Sequence, residues 1–400
     1  MDVWTYGRAS AEASPRVLPL DRGRQRGLSY RALLSHLAAM VNHPQPLLSR
    51  RGAIPAIIAT LLFVCVCVSS QASAQSPLPS YGEDRRGTAG FQFLKVAVDP
   101  RTAALGESVV SHADDVTALL HNPALIARAG DVEGALTFTN YFVDTQLYWA
   151  GGLYRIGPYT LGLSLQAFDS GEMAETTEIS GPNGTGRTFR LFDLGVGLTV
   201  SQALTDLFSY GVTVKYARES VLDVTTQAAL LDLGVAYAVG DTGVRLGVAI
   251  RNFGLDGRPS GDVSYLDLQN GEPVVVTGDD FARITPPTTF LLGVSYDVLR
   301  GLSAAGLMAP PGPEHDFRIS GQLTNPNDDT ERFNLGLEYT WSRTLTLRGG
   351  YQLGIEEASL PSFGLGVRAP GYDGVRLDYG FNRLDRLGAV HRVGFLVSFD

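Results

Sequence analysis

The 400-residue chain has two cysteines, Cys65 and Cys67, both inside one apolar run, and none after it. A body without thiols excludes a disulfide framework, a cysteine nucleophile and a thiolate metal site. Lysine is almost as scarce, with Lys95 and Lys215 the only two. Of six histidines, the four beyond residue 74 (His112, His121, His315 and His391) show no metal-ligand spacing. No nucleophile elbow, phosphate loop or His-Glu-x-x-His motif occurs. Gly-x-Gly steps at Gly195 and Gly364 fall inside strand-like segments. These absences leave no candidate catalytic, cofactor-binding or metal-binding residue, so the expectation is a non-enzyme with no cofactor. A basic stripe is also missing. The net charge is −9; residues 1–74 hold 8 Arg and 3 acids, a net of +5, which leaves −14 for the rest. That balance is a poor match to nucleic acid. No stretch beyond residue 74 reaches the roughly 18 apolar residues that a membrane helix needs.

The one long apolar run, residues 53–68, follows Arg50-Arg51 and precedes Ala72-Ser73-Ala74-Gln75. A basic flank, a short core and an A-x-A site describe a Sec-type signal peptide, with Ala72 and Ala74 forming the cleavage site. The run is short for an anchor and contains Pro55. Residues 1–74 are therefore read as an N-terminal extension plus signal peptide, with Met40 a plausible start. Residues 75–86 read as a flexible, Pro-containing lead.

What the chain has in abundance is glycine, 46 residues, together with 16 Tyr and 18 Phe. Seven copies of Leu-Gly-(Val or Leu) begin at Leu161, Leu194, Leu233, Leu246, Leu292, Leu335 and Leu365. Side chains alternate along a strand. Leu292, Val294 and Tyr296 thus share one face, and Gly293 and Ser295 the other. From residue 132 onward this period of two persists to the end. Fifteen strand candidates result, and the weakest, 300–308, lacks an aromatic and runs into Pro310, Pro311 and Pro313. Assigning it to a turn leaves fourteen, puts the tight turns at Gly157-Pro158, Gly240-Asp241, Ser342-Arg343 and Gly371 on one side and the long connections 169–188 and 254–287 on the other. Such a pattern predicts an all-β fold, a transmembrane outer-membrane barrel of about 14 antiparallel strands over 132–400. Its expected surroundings are outer-membrane lipid. The closing strand places Phe395, Val397 and Phe399 on the apolar face, the expected insertion signal for barrel-assembly machinery. The opposite, inward face is rich in glycine and small residues, which suits a wall closed around another piece of backbone. Asp193, Asp232 and Glu338 fall on that inward face.

Residues 87–131 differ from everything after them. Asp99 can cap a short helix with Pro100 at its first position, and Gly106 can close it. Asp114 and Asp115 can cap a second short helix, which Asn122-Pro123 ends. Arg101, if buried, needs a carboxylate from the barrel interior. The expectation is a compact, partly helical module of about 45 residues.

The segment Ala89-Gly90-Phe91-Gln92-Phe93-Leu94-Lys95-Val96, followed by Asp99-Pro100-Arg101, Ala104-Leu105-Gly106, Asp114-Asp115 and Asn122-Pro123-Ala124, resembles the PorV/PorQ family. The resemblance also takes in Asn325-Pro326-Asn327 and His391-Arg392, while His121 stands where the family usually has an aromatic. It implies a fourteen-stranded barrel related to FadL channels, with residues 87–131 as a hatch. It further implies a place in a type IX secretion system, receiving secreted proteins with C-terminal sorting domains and passing them to a surface sortase. FadL relatives instead conduct hydrophobic solutes, which is the alternative expectation.

Overall fold

A computed structural model describes residues 82–399 except 177–183, 270–271, 279–280, 310–311, 313, 355–359, 370 and 372–373. The expected signal peptide, with Ala72 and Ala74, and most of the lead lie outside the described residues.

Alternation of apolar and small or polar residues dictates the wall. The fourteen wall strands are β1 (Val132–Asn140), β2 (Gln146–Ile156), β3 (Tyr159–Asp169), β4 (Leu191–Ala203), β5 (Phe208–Val221), β6 (Val224–Ala238) and β7 (Val244–Gly254). They continue with β8 (Thr289–Asp297), β9 (His315–Pro326), β10 (Arg332–Trp341), β11 (Leu345–Leu353), β12 (Ser362–Arg368), β13 (Val375–Leu384) and β14 (Gly388–Phe399). Each pairs antiparallel with its neighbours in sequence, and β1 closes the barrel on β14 with Val132 opposite Phe399. Closure removes the exposed sheet edge, which lipid could not satisfy.

Burial is inverted relative to a water-soluble domain. In β3, Leu161, Leu163 and Leu165 are exposed while Thr160, Ser164 and Gln166 are buried. In β10, Leu335 and Leu337 face out and Glu338 is buried. This is an outer-membrane β-barrel, apolar outside and polar within. On β14, Phe395 and Phe399 face outward, and Val397 shares their face.

The longest connections, between β3 and β4 and between β7 and β8, lie at the end opposite the β1 and β14 termini. Long loops mark the extracellular end and short turns the periplasmic end. The sequence pattern and the structure part company in three places. The period of two, unbroken from residue 132 in the sequence, is interrupted after Asn140, where β1 stops because Val143 and Asp144 take φ of 51° and 59° in a turn. The connection expected to be a loop over 254–287 carries its own hairpin, Val263–Gln269 with Glu272–Gly278. The demoted segment 300–308 is largely a helix, α2 (Val298–Ala304), following the short hatch helix α1 (Pro100–Ala104). Gly301 of α2 lies against the Tyr296 ring, where a larger residue has no room.

Candidate functional site

Inside the barrel, residues 89–130 run from the extracellular mouth to the periplasmic foot. Backbone hydrogen bonds alone cannot hold such a segment, because its regular structure is only short helical turns; the remaining polar groups must be met by caps and by the wall. Asp99 accepts from Thr102 N at 2.8 Å and starts α1. Gly106, at φ +59°, follows α1 and lies so near β11 that a Cβ would stand 2.8 Å from Tyr351 N. Asp115 accepts from Thr117 N at 2.9 Å and starts the 3-10 turn Val116–Leu120. Asn122 accepts from Ala124 N at 3.1 Å and starts a further turn, Pro123–Arg128, where the sequence suggested only an ending. The wall supplies the rest. Gln322 on β9 accepts from Val109 N and Val110 N at 3.1 and 3.0 Å. Glu133 on β1 accepts from Val116 N at 2.7 Å. Asn122 also donates to Val110 O (2.8 Å) and Val235 O (3.1 Å), tying two parts of the hatch to β6.

Along one side the fit is steric. A Cβ at Gly211 would stand 2.7 Å from Ala124 N, and one at Gly234 would stand 2.8 Å from Pro123 Cδ. At Gly162 the missing Cβ position is filled by Leu119 Cδ2, and at Gly293 by Val110 Cγ1. Van der Waals contact needs more than 3 Å, so these glycines of the inward face are the sockets into which the hatch fits. Nearer the mouth, Phe91, Phe93 and Leu94 are buried with Ala217, Ala228 and Leu230.

Along the other side the fit is ionic. Arg101 is 4% exposed and makes two hydrogen bonds of 3.0 Å to Glu338, one from Nε and one from Nη2. The same guanidinium reaches Asp115 at 3.0 Å and Asp114 at 3.2 Å. Arg348 bridges Glu338 (2.8 Å) and Asp378 (2.7 Å), and Arg376 bridges Asp378 (2.6 Å) and Asp115 (2.7 Å). The ring therefore alternates in sign and returns to the hatch. Two charges that would each be expensive to bury alone are thereby matched. Burial by itself would raise the Asp115 carboxyl, but Arg376 and Arg101 hold it well below the usual carboxylate range. Burial, reinforced by Arg318 and Arg101, pushes His112 down from 6.5 to about 3, so its ring is neutral at pH 7.

At the mouth, Lys95 pairs with Asp328 at 2.9 Å, and Gln92 donates to the same carboxylate at 2.6 Å. At the foot, Arg128 donates to Asp206 O at 2.7 Å. Between hatch and wall there is a cavity of about 30 Å³ beside Lys95, Val96, Leu120, His121, Arg251 and Leu291. That is room for water and no larger solute.

Of the residues singled out in the sequence, Asp99, Pro100, Arg101, Gly106, Asp114, Asp115, Asn122 and Pro123 meet in this lumen, with Phe91, Phe93 and Leu94 above them. Ionic partners Arg348, Arg376 and Asp378 escaped sequence reading. Their only signal is charge recurring at every second position of otherwise apolar strands, as at Arg376 and Asp378.

No protein-family model matches the chain. No curated protein matches it either. Two solved structures share its fold. One is the CymD monoaromatic hydrocarbon channel, 13% identical, with 76% of this chain and 98% of CymD covered and a TM-score of 0.51. The other is the Ralstonia pickettii toluene transporter TbuX, 14% identical, with 75% and 98% covered and a TM-score of 0.53. The chain thus shares the barrel fold of these two channels. These neighbours overturn the expected role in type IX secretion, with its sorting-domain cargo and sortase partner. The physical reason is visible in the hatch. The residues that suggested that role, Phe91 through Pro123, are occupied with caps, packing and ion pairs inside the barrel, and such residues describe how a plug is seated.

Proposed function

We propose that this protein is a non-enzymatic outer-membrane channel for small hydrophobic solutes, closed at rest by its own N-terminal hatch. The observation that carries the reading is the barrel fold shared with two hydrocarbon channels, together with the hatch that fills this barrel. A plug held partly by ion pairs and side-chain hydrogen bonds can leave its seat without unfolding the wall, whose strands close on one another independently of it. The filled lumen also supports a gated channel over a constantly open pore: a cavity of about 30 Å³ passes no hydrocarbon until the hatch moves. We read the resemblance to PorV/PorQ as kinship in how the hatch is built.

The test is uptake of radiolabelled toluene by cells with and without the gene, at equal expression of other outer-membrane proteins. Faster initial uptake with the gene supports the proposal. Equal uptake for toluene and for a longer apolar probe such as oleate removes it.

A further inference from the structure

The ionic side of the lumen opens toward the periplasm into a second cavity, of about 360 Å³, well within the size range of small-ligand sites. Six arginines line it, Arg101, Arg318, Arg343, Arg348, Arg368 and Arg376, against three acids. The four inner arginines are spoken for. Arg101, Arg348 and Arg376 belong to the ring described above, and Arg318 pairs with Asp297 at 2.5 Å. Arg343 and Arg368 are different: among the described residues neither side chain makes an ion pair or hydrogen bond. They are nevertheless held at one rim. Arg343 sits in the tight β10–β11 turn at φ 55°, and Arg368 N donates to Thr344 O of that turn at 2.8 Å.

Two guanidiniums carried on backbone held at one rim, with no ion pair of their own among the described residues, suit an oxyanion that can accept from both. The inner wall of the same chamber offers Thr340 and Thr346 hydroxyls, which already lie 3.1 Å apart. At the chamber's inner end sits Asp114 of the hatch, half-exposed and held by Arg101 at 3.2 Å and by Arg245 and Arg318 at only 3.8 and 3.9 Å. Its carboxylate shows that this chamber takes an anion at one end; at the other, Asp316 reaches a cation only at 3.9 Å, to Arg318, and Arg343 and Arg368 have no ion-pair partner among the described residues.

We infer that the periplasmic chamber is an oxyanion-binding site, with Arg343 and Arg368 as its primary ligands for a carboxylate or phosphate group. The inference stands apart from the channel reading, because it concerns equilibrium binding and needs no transport.

Two sources could bring such a group: a free anion in the periplasm, or the head of an amphipathic solute. Calorimetric titration of the purified full-length protein, in an uncharged maltoside detergent, separates them with inorganic phosphate, octanoate and octanol as probes. Saturable binding of phosphate assigns the site to free anions. Binding of octanoate without phosphate or octanol assigns it to a head on an apolar tail. In either case the double variant Arg343→Gln/Arg368→Gln weakens binding at least tenfold, and the double lysine variant restores part of it. Heat-dependent gel migration of each variant confirms an intact barrel. Octanol binding as tightly as octanoate, no saturable binding of either anion at millimolar concentration, or unchanged affinity in the glutamine variant overturns the inference.

Discussion

The two sides of the lumen hold the same hatch by different means. On the β3–β6 side, glycines let the hatch backbone and the Leu119 and Pro123 side chains approach within contact distance, and among the described residues no ion pair joins wall to hatch. On the β9–β13 side glycines are close as well, Gly336 to Leu105 and Gly364 to Ala104, but there Arg101 and Asp115 also meet Glu338 and Arg376 through charge-assisted hydrogen bonds. A steric seam has a short range and is indifferent to salt and pH. An ionic seam is directional, and each partner lost leaves an unpaired buried charge. The difference suggests a hatch that registers against the glycine side and is released from the ionic side.

That division can be broken from either side. The largest effect is expected from Glu338→Ala, which leaves Arg101 and Arg348 without their shared carboxylate. Removing one partner of a buried pair costs about 3–5 kcal/mol, so hatch amides exchange by orders of magnitude faster while wall amides do not. Hydrogen exchange read by mass spectrometry checks this, and equal acceleration of hatch and wall would mean that the two are one cooperative unit. Gly234→Val attacks the steric side. Overpacking costs about 1–3 kcal/mol, and the added branches overlap Asn122 and Pro123. Planar-bilayer recording should show long-lived conductance absent from the parent; a silent variant would show that the socket yields.

Lowering the pH gives a smaller and graded effect. His112 is held neutral in the seated hatch, with its pKa reduced from 6.5 to about 3. A released hatch takes up that proton below 6.5 and the seated one does not until about 3, so seating weakens as pH falls through this window. His121, another buried hatch histidine, is lowered well below 6.5 by its burial and acts in the same sense. At one unit below 6.5 each histidine contributes a loss of about 1.4 kcal/mol at most. Asp99, raised by its burial, titrates in the opposite sense and blunts the slope. Hatch exchange at pH 5.5 against pH 7.5 measures it; His112→Gln should reduce the difference and the double variant with His121→Gln should flatten it. Smallest is Asp99→Ala, which removes the cap of α1. Caps contribute about 1 kcal/mol, and the expected result is faster exchange confined to residues 100–106, visible in the same experiment.

Local chemistry was legible in the sequence, and distant pairing was not. Strand alternation followed from the period of two, because inside and outside of a barrel impose opposite chemistries on neighbouring positions, and the even strand number from demoting 300–308 so that named tight turns and long connections fall at opposite ends. The inward glycines pointed to a filled lumen for the same reason. The need of Arg101 for a carboxylate was evident from its setting, but Glu338, 237 positions away, is brought to it only by barrel closure. Hairpin 263–278 was hidden because Gly, Asp and Pro around it read as plain loop. The secretion role failed for a different reason: residues that fit a plug to a barrel say little about what passes the plug.

The most direct measurement of the central claim, a fixed wall around a plug that must move, is a reversible lock. Val110 Cγ1 occupies the space where a side chain at Gly293 would begin, so Val110→Cys/Gly293→Cys places one thiol on the hatch and one on β8. No cysteine follows Cys67 in the native sequence to compete with this pair. Toluene uptake by cells carrying the double variant should fall to the level of cells lacking the gene when oxidised, and recover with reductant. Unchanged uptake in the oxidised, gel-verified cross-linked protein would contradict the account.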